Sequence, residues 1–193
     1  MKWMIATLLL VCAPMTVLAQ QNFTLKNQYN TDISLSDFKG KTVVLEWLNH
    51  GCPFVRKHYD SKNMQNLQDK WTAKGIIWLS IISSAPGKQG HVTPQEAYRE
   101  AHAYKSRATH ILLDPEGKVG KMYEAKTTPH MYVINTEGKR VYEGAIDSIP
   151  DTNQASIPKA QNFVDETLTQ LTSGQKIKTA KTKAYGCSVK YAD

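Results

Sequence analysis

The chain has 193 residues, of which 41% are hydrophobic and 21% are charged, and its formal net charge is +7. This composition excludes a disordered chain, and the length suffices for one domain with its own core. The positive residues are scattered, with neither a nucleic-acid-binding motif nor interleaved aromatic residues beside them. We therefore expect no nucleic-acid partner.

The N-terminal segment resembles an export signal in its layout. An apolar run over residues 5–18 follows Lys2, and Val17-Leu18-Ala19 place small or medium residues where a signal peptidase reads them. The run is too short for a membrane span, so we predict that residues 1–19 are a removed signal peptide and that no stable membrane anchor remains. The expected location is secreted or periplasmic.

Three cysteines are present, and Cys12 leaves with the predicted signal. Cys52 and Cys187 remain, in a compartment where disulfides persist. An even pair there predicts a disulfide or a redox couple.

The predicted elements alternate between strands and helices. In chain order they are a hairpin over 23–35, a strand over 43–48, a helix from 53 with a break near 61–63, a strand over 76–82, a helix from 94, a strand over 111–113, a hairpin over 130–146 and a helix over 158–173. This order predicts an α/β domain over residues 20–174, with a central mixed β-sheet flanked by helices on both faces. Residues 175–193 are predicted to form an extended basic tail that carries Cys187 and could meet an acidic partner.

The most informative stretch is residues 42–59, where a buried strand turns into a helix. Proline is favoured at the first helical position, so Pro53 places Cys52 at the helix N-cap. Free backbone N–H groups and the positive end of the helix dipole favour a thiolate there. The neighbouring bases are His50, Arg56 and Lys57. We also expect the turn to be exposed. The helix start, these basic residues and the exposed turn favour a reactive Cys52 over a buried structural cysteine.

These residues resemble the active-site turn of the thioredoxin superfamily. Trp47, Gly51, Cys52 and Pro53 carry the resemblance, in particular to its redoxin, or alkyl hydroperoxide reductase/thiol-specific antioxidant, branch. Thr128-Pro129 and the Gly186-Cys187-Ser188-Val189-Lys190 tail extend it. The resemblance implies a thioredoxin-like fold with a cis Pro129 beside the reactive cysteine. It also implies that the residues flanking the substrate are Trp47, Asn49, Thr128 and Pro129.

The chain departs from the family pattern at two places. Thioredoxins carry a second cysteine three residues after the first, where this chain has Val55, so a local dithiol is impossible. Peroxiredoxins carry proline and threonine where this chain has Leu45 and Asn49, so the usual peroxide pocket is not reproduced.

Two functions remain open at this point. The first is an exported thiol oxidoreductase in which Cys52 attacks a disulfide or peroxide and Cys187 resolves the product. Its substrate would be a protein or small-molecule disulfide, thiol or peroxide, and its reducing partner is unidentified. We expect no cofactor, and no metal on Cys52 with His50, His58 or His130 because metal-type cysteine spacing is lacking. The second function is a redox-inert binding module that uses the Pro129 edge and the basic tail.

Overall fold

The computed structural model describes residues 21–192, so the predicted signal peptide over residues 1–19 lies outside the described residues. The strands are β1 (Thr24–Asn27), β2 (Asp32–Ser34), β3 (Val43–Trp47), β4 (Ile77–Ile82), β5 (His110–Leu113), β6 (Thr127–Thr128), β7 (His130–Ile134), β8 (Arg140–Gly144) and β9 (Cys187–Ser188). The helices are α1 (Pro53–Asp60), α2 (Asn63–Thr72), α3 (Pro94–Ala103), α4 (Lys118–Met122) and α5 (Phe163–Thr172).

Within this range, seven strands form one mixed sheet in the order β2-β1-β5-β4-β3-β7-β8, and β6 pairs separately with β9. β3 runs parallel to β4 and antiparallel to β7, while the N-terminal hairpin joins the sheet through β1 and β5. The α/β prediction with a mixed sheet is therefore confirmed. None of the helices described is long and apolar enough to cross a membrane.

The central strands are buried on both faces, as their continuous apolar runs predict. Alternate residues of β3 point to opposite sides, so Val44 joins a core with α1, α2, α3 and α5, while Val43 and Leu45 join a second core with α4. Helices thus cover both faces of the sheet, which holds the end of β3 in a fixed position.

A buried carboxylate, Glu46, ties the first of these cores together. Its oxygens accept hydrogen bonds from Tyr59 (2.9 Å), Gln68 (3.2 Å), Trp78 (2.8 Å) and Ser80 (2.8 Å). Burial raises the pKa of Glu46, although these four bonds act to lower it. Because the bonds come from α1, α2 and β4, Glu46 fixes α1 against the strand that precedes it.

The last helix begins later than the sequence predicts. Residues Gln154–Lys159 form a 3-10 helix, and α5 starts only after Asn162, whose side-chain oxygen accepts the N–H of Asp165 at 2.9 Å. The predicted start at residue 158 is wrong, because this cap begins a second, separate helix.

Candidate active site

The turn between β3 and α1 is built by hydrogen bonds to Asn49. Its side-chain oxygen accepts the N–H of Gly51 (2.9 Å), and its carbonyl oxygen accepts the N–H of Cys52 (3.0 Å). Pro53 is the first residue of α1, so Cys52 occupies the N-cap with extended backbone angles, as predicted. The local sequence alone therefore sets the position of Cys52.

A glycine-containing loop, residues 84–92, closes over this turn. Gln89 donates from its side chain to the carbonyl of Gly51 (2.9 Å), and Asn49 donates to the carbonyl of Gln89 (3.3 Å). Gly90 has a φ of +83°, and a Cβ there would lie 2.5 Å from the Asn49 side chain. Asn49 is only 2% exposed. In this structure it supports the turn, a role that the sequence did not suggest.

The two sulfur atoms predicted to pair lie together. Sγ of Cys52 is 2.6 Å from Sγ of Cys187, across a separation of 135 residues. No bond joins them in this structure, and their separation exceeds the length of a disulfide by about half an ångström. Sγ of Cys52 also lies 3.1 Å from the carbonyl oxygen of Thr128. The Thr128–Pro129 peptide bond is cis, as expected.

The tail reaches Cys52 as a short strand. In the β6–β9 pairing, Thr128 lies opposite Cys187 and Thr127 lies opposite Ser188. The tail is extended, as predicted, but it packs along the domain. Residues after Cys187 stay in register, because the N–H of Val189 donates to the carbonyl of Lys126 at 3.1 Å.

Burial corrects two expectations. The turn was predicted to be exposed, and Gly51 and Pro53 are exposed, but Cys52 itself has 0% exposed surface because Cys187 and the edge at Thr128 cover its sulfur. Trp47 also has 0% exposed surface, and its indole N–H donates to the hydroxyl of Ser83 at 3.1 Å. This burial argues against the predicted contact of Trp47 with substrate.

The two thiols differ in acidity. Burial acts to raise the pKa of Cys52. Hydrogen bonding from Cys187 and the backbone N–H of Val55, with a smaller effect of the nearby Thr128 hydroxyl, outweighs burial, and the pKa is lowered. The Cys52 side chain makes no capping hydrogen bond, yet the nearby amide of Val55 still favours the thiolate. Burial, together with the hydrogen bond and charge of Cys52, raises the pKa of Cys187 to about 11. Cys52 is therefore the better nucleophile and leaving group of the pair.

The three bases beside Cys52 do not act as the sequence suggested. Burial lowers the pKa of His50 to about 4, so its ring is neutral at pH 7. Arg56 pairs with Asp60 near the surface at 3.2 Å. Lys57 is fully buried in a separate ionic cluster with Asp147. Hydrogen bonds, rather than neighbouring cations, lower the pKa of Cys52.

The paired thiols, the helix start and the cis-proline edge on a mixed α/β sheet define a thiol-redox protein of the thioredoxin-like class. The model of the AhpC/TSA family matches residues 19–142, and the chain belongs to this family. Membership supports a thiol oxidoreductase function. Cys187 and the tail lie beyond the matched residues.

Solved structures share this fold. A hypothetical protein from Sinorhizobium meliloti aligns with a TM-score of 0.76 and 19% identity over 90% of this chain and 93% of its own. An uncharacterized conserved protein from Geobacillus kaustophilus aligns with a TM-score of 0.75 and 24% identity over 90% of each chain. The thioredoxin domain of a thiol-disulfide oxidoreductase from Bacteroides vulgatus aligns with a TM-score of 0.52 and 21% identity, over 73% of this chain and 94% of its own. No curated protein matches the chain.

Proposed function

We propose that this protein is an exported thiol-disulfide oxidoreductase, with Cys52 as the nucleophile and Cys187 as the resolving thiol. One observation carries the proposal: the sulfur of Cys187 is held 2.6 Å from that of Cys52 by a strand lying on Thr127–Thr128. The lowered pKa of Cys52 supports the same assignment. A redox-inert binding module would need neither feature.

The reaction proceeds in two exchanges. The Cys52 thiolate attacks one sulfur of a substrate disulfide, forming a mixed disulfide and releasing the other substrate sulfur as a thiolate. Cys187 then loses its proton and attacks Cys52, forming the Cys52–Cys187 disulfide and releasing the second substrate thiolate. The substrate gains two electrons and the protein loses two. An external dithiol must reduce the protein before another turnover.

The edge at Thr127–Thr128 is the proposed substrate site. Its backbone pairs with Ser188 and Cys187, so a polypeptide with an extended cysteine-containing segment could pair with it in the same way once the tail leaves. The tail must move first, because Cys52 has no exposed surface while Cys187 lies beside it. Pro129 follows directly and has no N–H to pair.

Peroxide reduction is the second candidate, and one observation favours it. The hydroxyl of Thr128 is buried without a hydrogen-bond partner, yet its position near Cys52 helps lower the pKa of that thiol. It could donate to a peroxide oxygen at the sulfur. Against this reading, the Asn49 amide is already bonded to Gln89, so it is not free to polarise a peroxide.

Stopped-flow kinetics of the reduced protein separate these two reactions. We expect Cys52 to react with an aromatic disulfide at least about tenfold faster than free cysteine does at pH 7, because more of it is thiolate. We expect oxidation by hydrogen peroxide no faster than that of free cysteine. Rapid peroxide oxidation with slow disulfide exchange would replace the first function by the second. Slow reaction with both reagents would favour the binding module.

Export has its own test. The full chain, expressed in a bacterium with a periplasm, should appear in the periplasmic fraction with Gln20 as its first residue. This result follows from the apolar run before Ala19. Recovery in the cytoplasm with Met1 or Lys2 still present would contradict export and leave the thiol chemistry unaffected.

A further inference from the structure

Tyr185, two residues before Cys187, is anchored in a partly buried socket that the proposed reaction does not use. Its ring meets Phe54 edge-on, with centroids 5.8 Å apart. Its hydroxyl donates to Oδ1 of Asp147 at 2.5 Å and lies 3.4 Å from Nε2 of His58. Both the ring and the hydroxyl of Tyr185 therefore hold the tail to the domain.

Most of the socket lies on α1, the helix that Cys52 caps. Phe54, Lys57 and His58 all lie on α1, within two turns of its start. Three residues of the Tyr185 socket are thus fixed to the helix that Cys52 caps, and Asp147 joins them through its ion pair with Lys57. The distance between Cys52 and the tail therefore depends on the position of the Tyr185 side chain in this socket.

A buried ion pair makes this anchor strong. Lys57 has no exposed side-chain surface, and its Nζ lies 3.4 Å from Asp147, 3.1 Å from Asp151 and 2.8 Å from the carbonyl of Ile149. Asp147 is 3% exposed. If the Tyr185 hydroxyl leaves, this buried carboxylate loses a donor, so tail release carries the cost of a hydrogen bond to a charged group.

The backbone transmits this anchor to Cys187. Gly186 has a φ of +139°, and a Cβ there would lie 2.1 Å from the carbonyl oxygen of Thr128. The chain therefore passes tightly over the edge between Tyr185 and Cys187. Beyond Cys187, the hydroxyl of Tyr191 donates to the carbonyl of Ala125 at 2.8 Å, a bond between neutral groups.

We infer that Tyr185, held by the buried Lys57–Asp147 pair, is the positioning residue that sets the sulfur of Cys187 against that of Cys52. The inference rests on the proposed function and adds a determinant of its second exchange. Tyr185 raises the effective concentration of the resolving thiol and does not touch the reacting atoms.

The test is the equilibrium between the full-length protein and mixtures of glutathione and glutathione disulfide. We expect Tyr185→Phe to lower the equilibrium constant for the Cys52–Cys187 disulfide and to speed alkylation of Cys52 in the reduced protein by uncovering its sulfur. The loss divides between these two readouts according to how often the reduced tail is docked, so the product of the two fold-changes should be about 10-fold to 100-fold, since a hydrogen bond to a charged group is lost. Tyr185→Ala should raise this product further.

Two matched variants complete the experiment. Tyr191→Phe removes a tail hydroxyl bonded to a neutral carbonyl and should give a product of only about fivefold. Tyr98→Phe, at an exposed position on α3, should leave both readouts unchanged. A product of the two fold-changes below about two for Tyr185→Phe would overturn the inference. Failure of the wild-type protein to form the disulfide at all would instead overturn the proposed function.

Discussion

Cys52→Ser will abolish disulfide reduction, lowering the rate by on the order of a thousandfold or more. A serine hydroxyl is not ionised at neutral pH, so the amide of Val55 and the thiol of Cys187 would have no anion to stabilise. Cys187 cannot take over, because it lies away from the helix start that favours a thiolate at position 52, and burial still raises its pKa. The measurement is release of a coloured thiol from an aromatic disulfide in a single turnover of the pre-reduced protein, with no other reductant present.

Cys187→Ser is the matched control, because it removes the other sulfur of the same pair. This variant should complete the first exchange and then stop, with the coloured thiol bound to Cys52 and visible in the mass of the intact protein. Release of the coloured thiol by Cys52→Ser at the wild-type rate, or an adduct on Cys187 in the wild-type protein before any on Cys52, would reverse the two roles.

The stability of the protein will fall in acid, and His50 will account for a large part of the loss. Both ring nitrogens of His50 are buried without a hydrogen-bond partner, and the ring stacks on Tyr104 with centroids 3.9 Å apart. Burial lowers the pKa of His50 to about 4, below the value of about 6.5 of an unfolded chain. The unfolded state therefore takes up a proton first as the pH falls.

The sign and size of the effect follow from these pKa values. His50 contributes stability above about pH 6.5 that is lost between about pH 6.5 and about pH 4, amounting to about 2 to 3 kcal/mol by about pH 4.5. His50→Phe keeps an aromatic ring against Tyr104 and removes the titrating group. We therefore expect the fall in unfolding free energy between about pH 7 and about pH 4.5 to be smaller by that amount in urea titrations.

The comparison is made between pH values within each variant, so any packing cost of the larger phenylalanine ring cancels. His102→Phe, an exposed position on α3, should keep the wild-type pH dependence. Burial also lowers the pKa values of His58 and His130 to about 4, so part of the acid loss should persist in His50→Phe. An unchanged pH dependence in that variant would show that His50 takes up its proton without unfolding.

Much of the site could be predicted from residues adjacent in sequence. The strand before Cys52, the proline after it and the break near residue 61 were enough to predict the N-cap position and the division between α1 and α2. Capping and hydrophobic periodicity act over a few residues, so the sequence carries them directly. The same reasoning was wrong about the start of α5, where a 3-10 helix precedes the cap.

The exposure of Cys52 could not be predicted this way. The sequence places its sulfur at a turn, and turns are commonly exposed. The tail covers it, and nothing in residues 42–59 encodes the arrival of a strand from residue 187. The predicted effect of Lys57 on Cys52 was wrong for the same reason, because the carboxylates that pair with Lys57 lie about ninety residues away along the chain.

By itself, the sequence determined most of the elements, the class of fold and the position of Cys52 at a helix start, because each depends on local patterns of apolar residues and caps. Only the tertiary structure decided how Cys187 reaches Cys52, that Trp47 and Asn49 face inward, and that Tyr185 anchors the tail. These contacts join segments far apart in the chain. Their geometry follows from how the sheet and helices pack, and no local pattern specifies it.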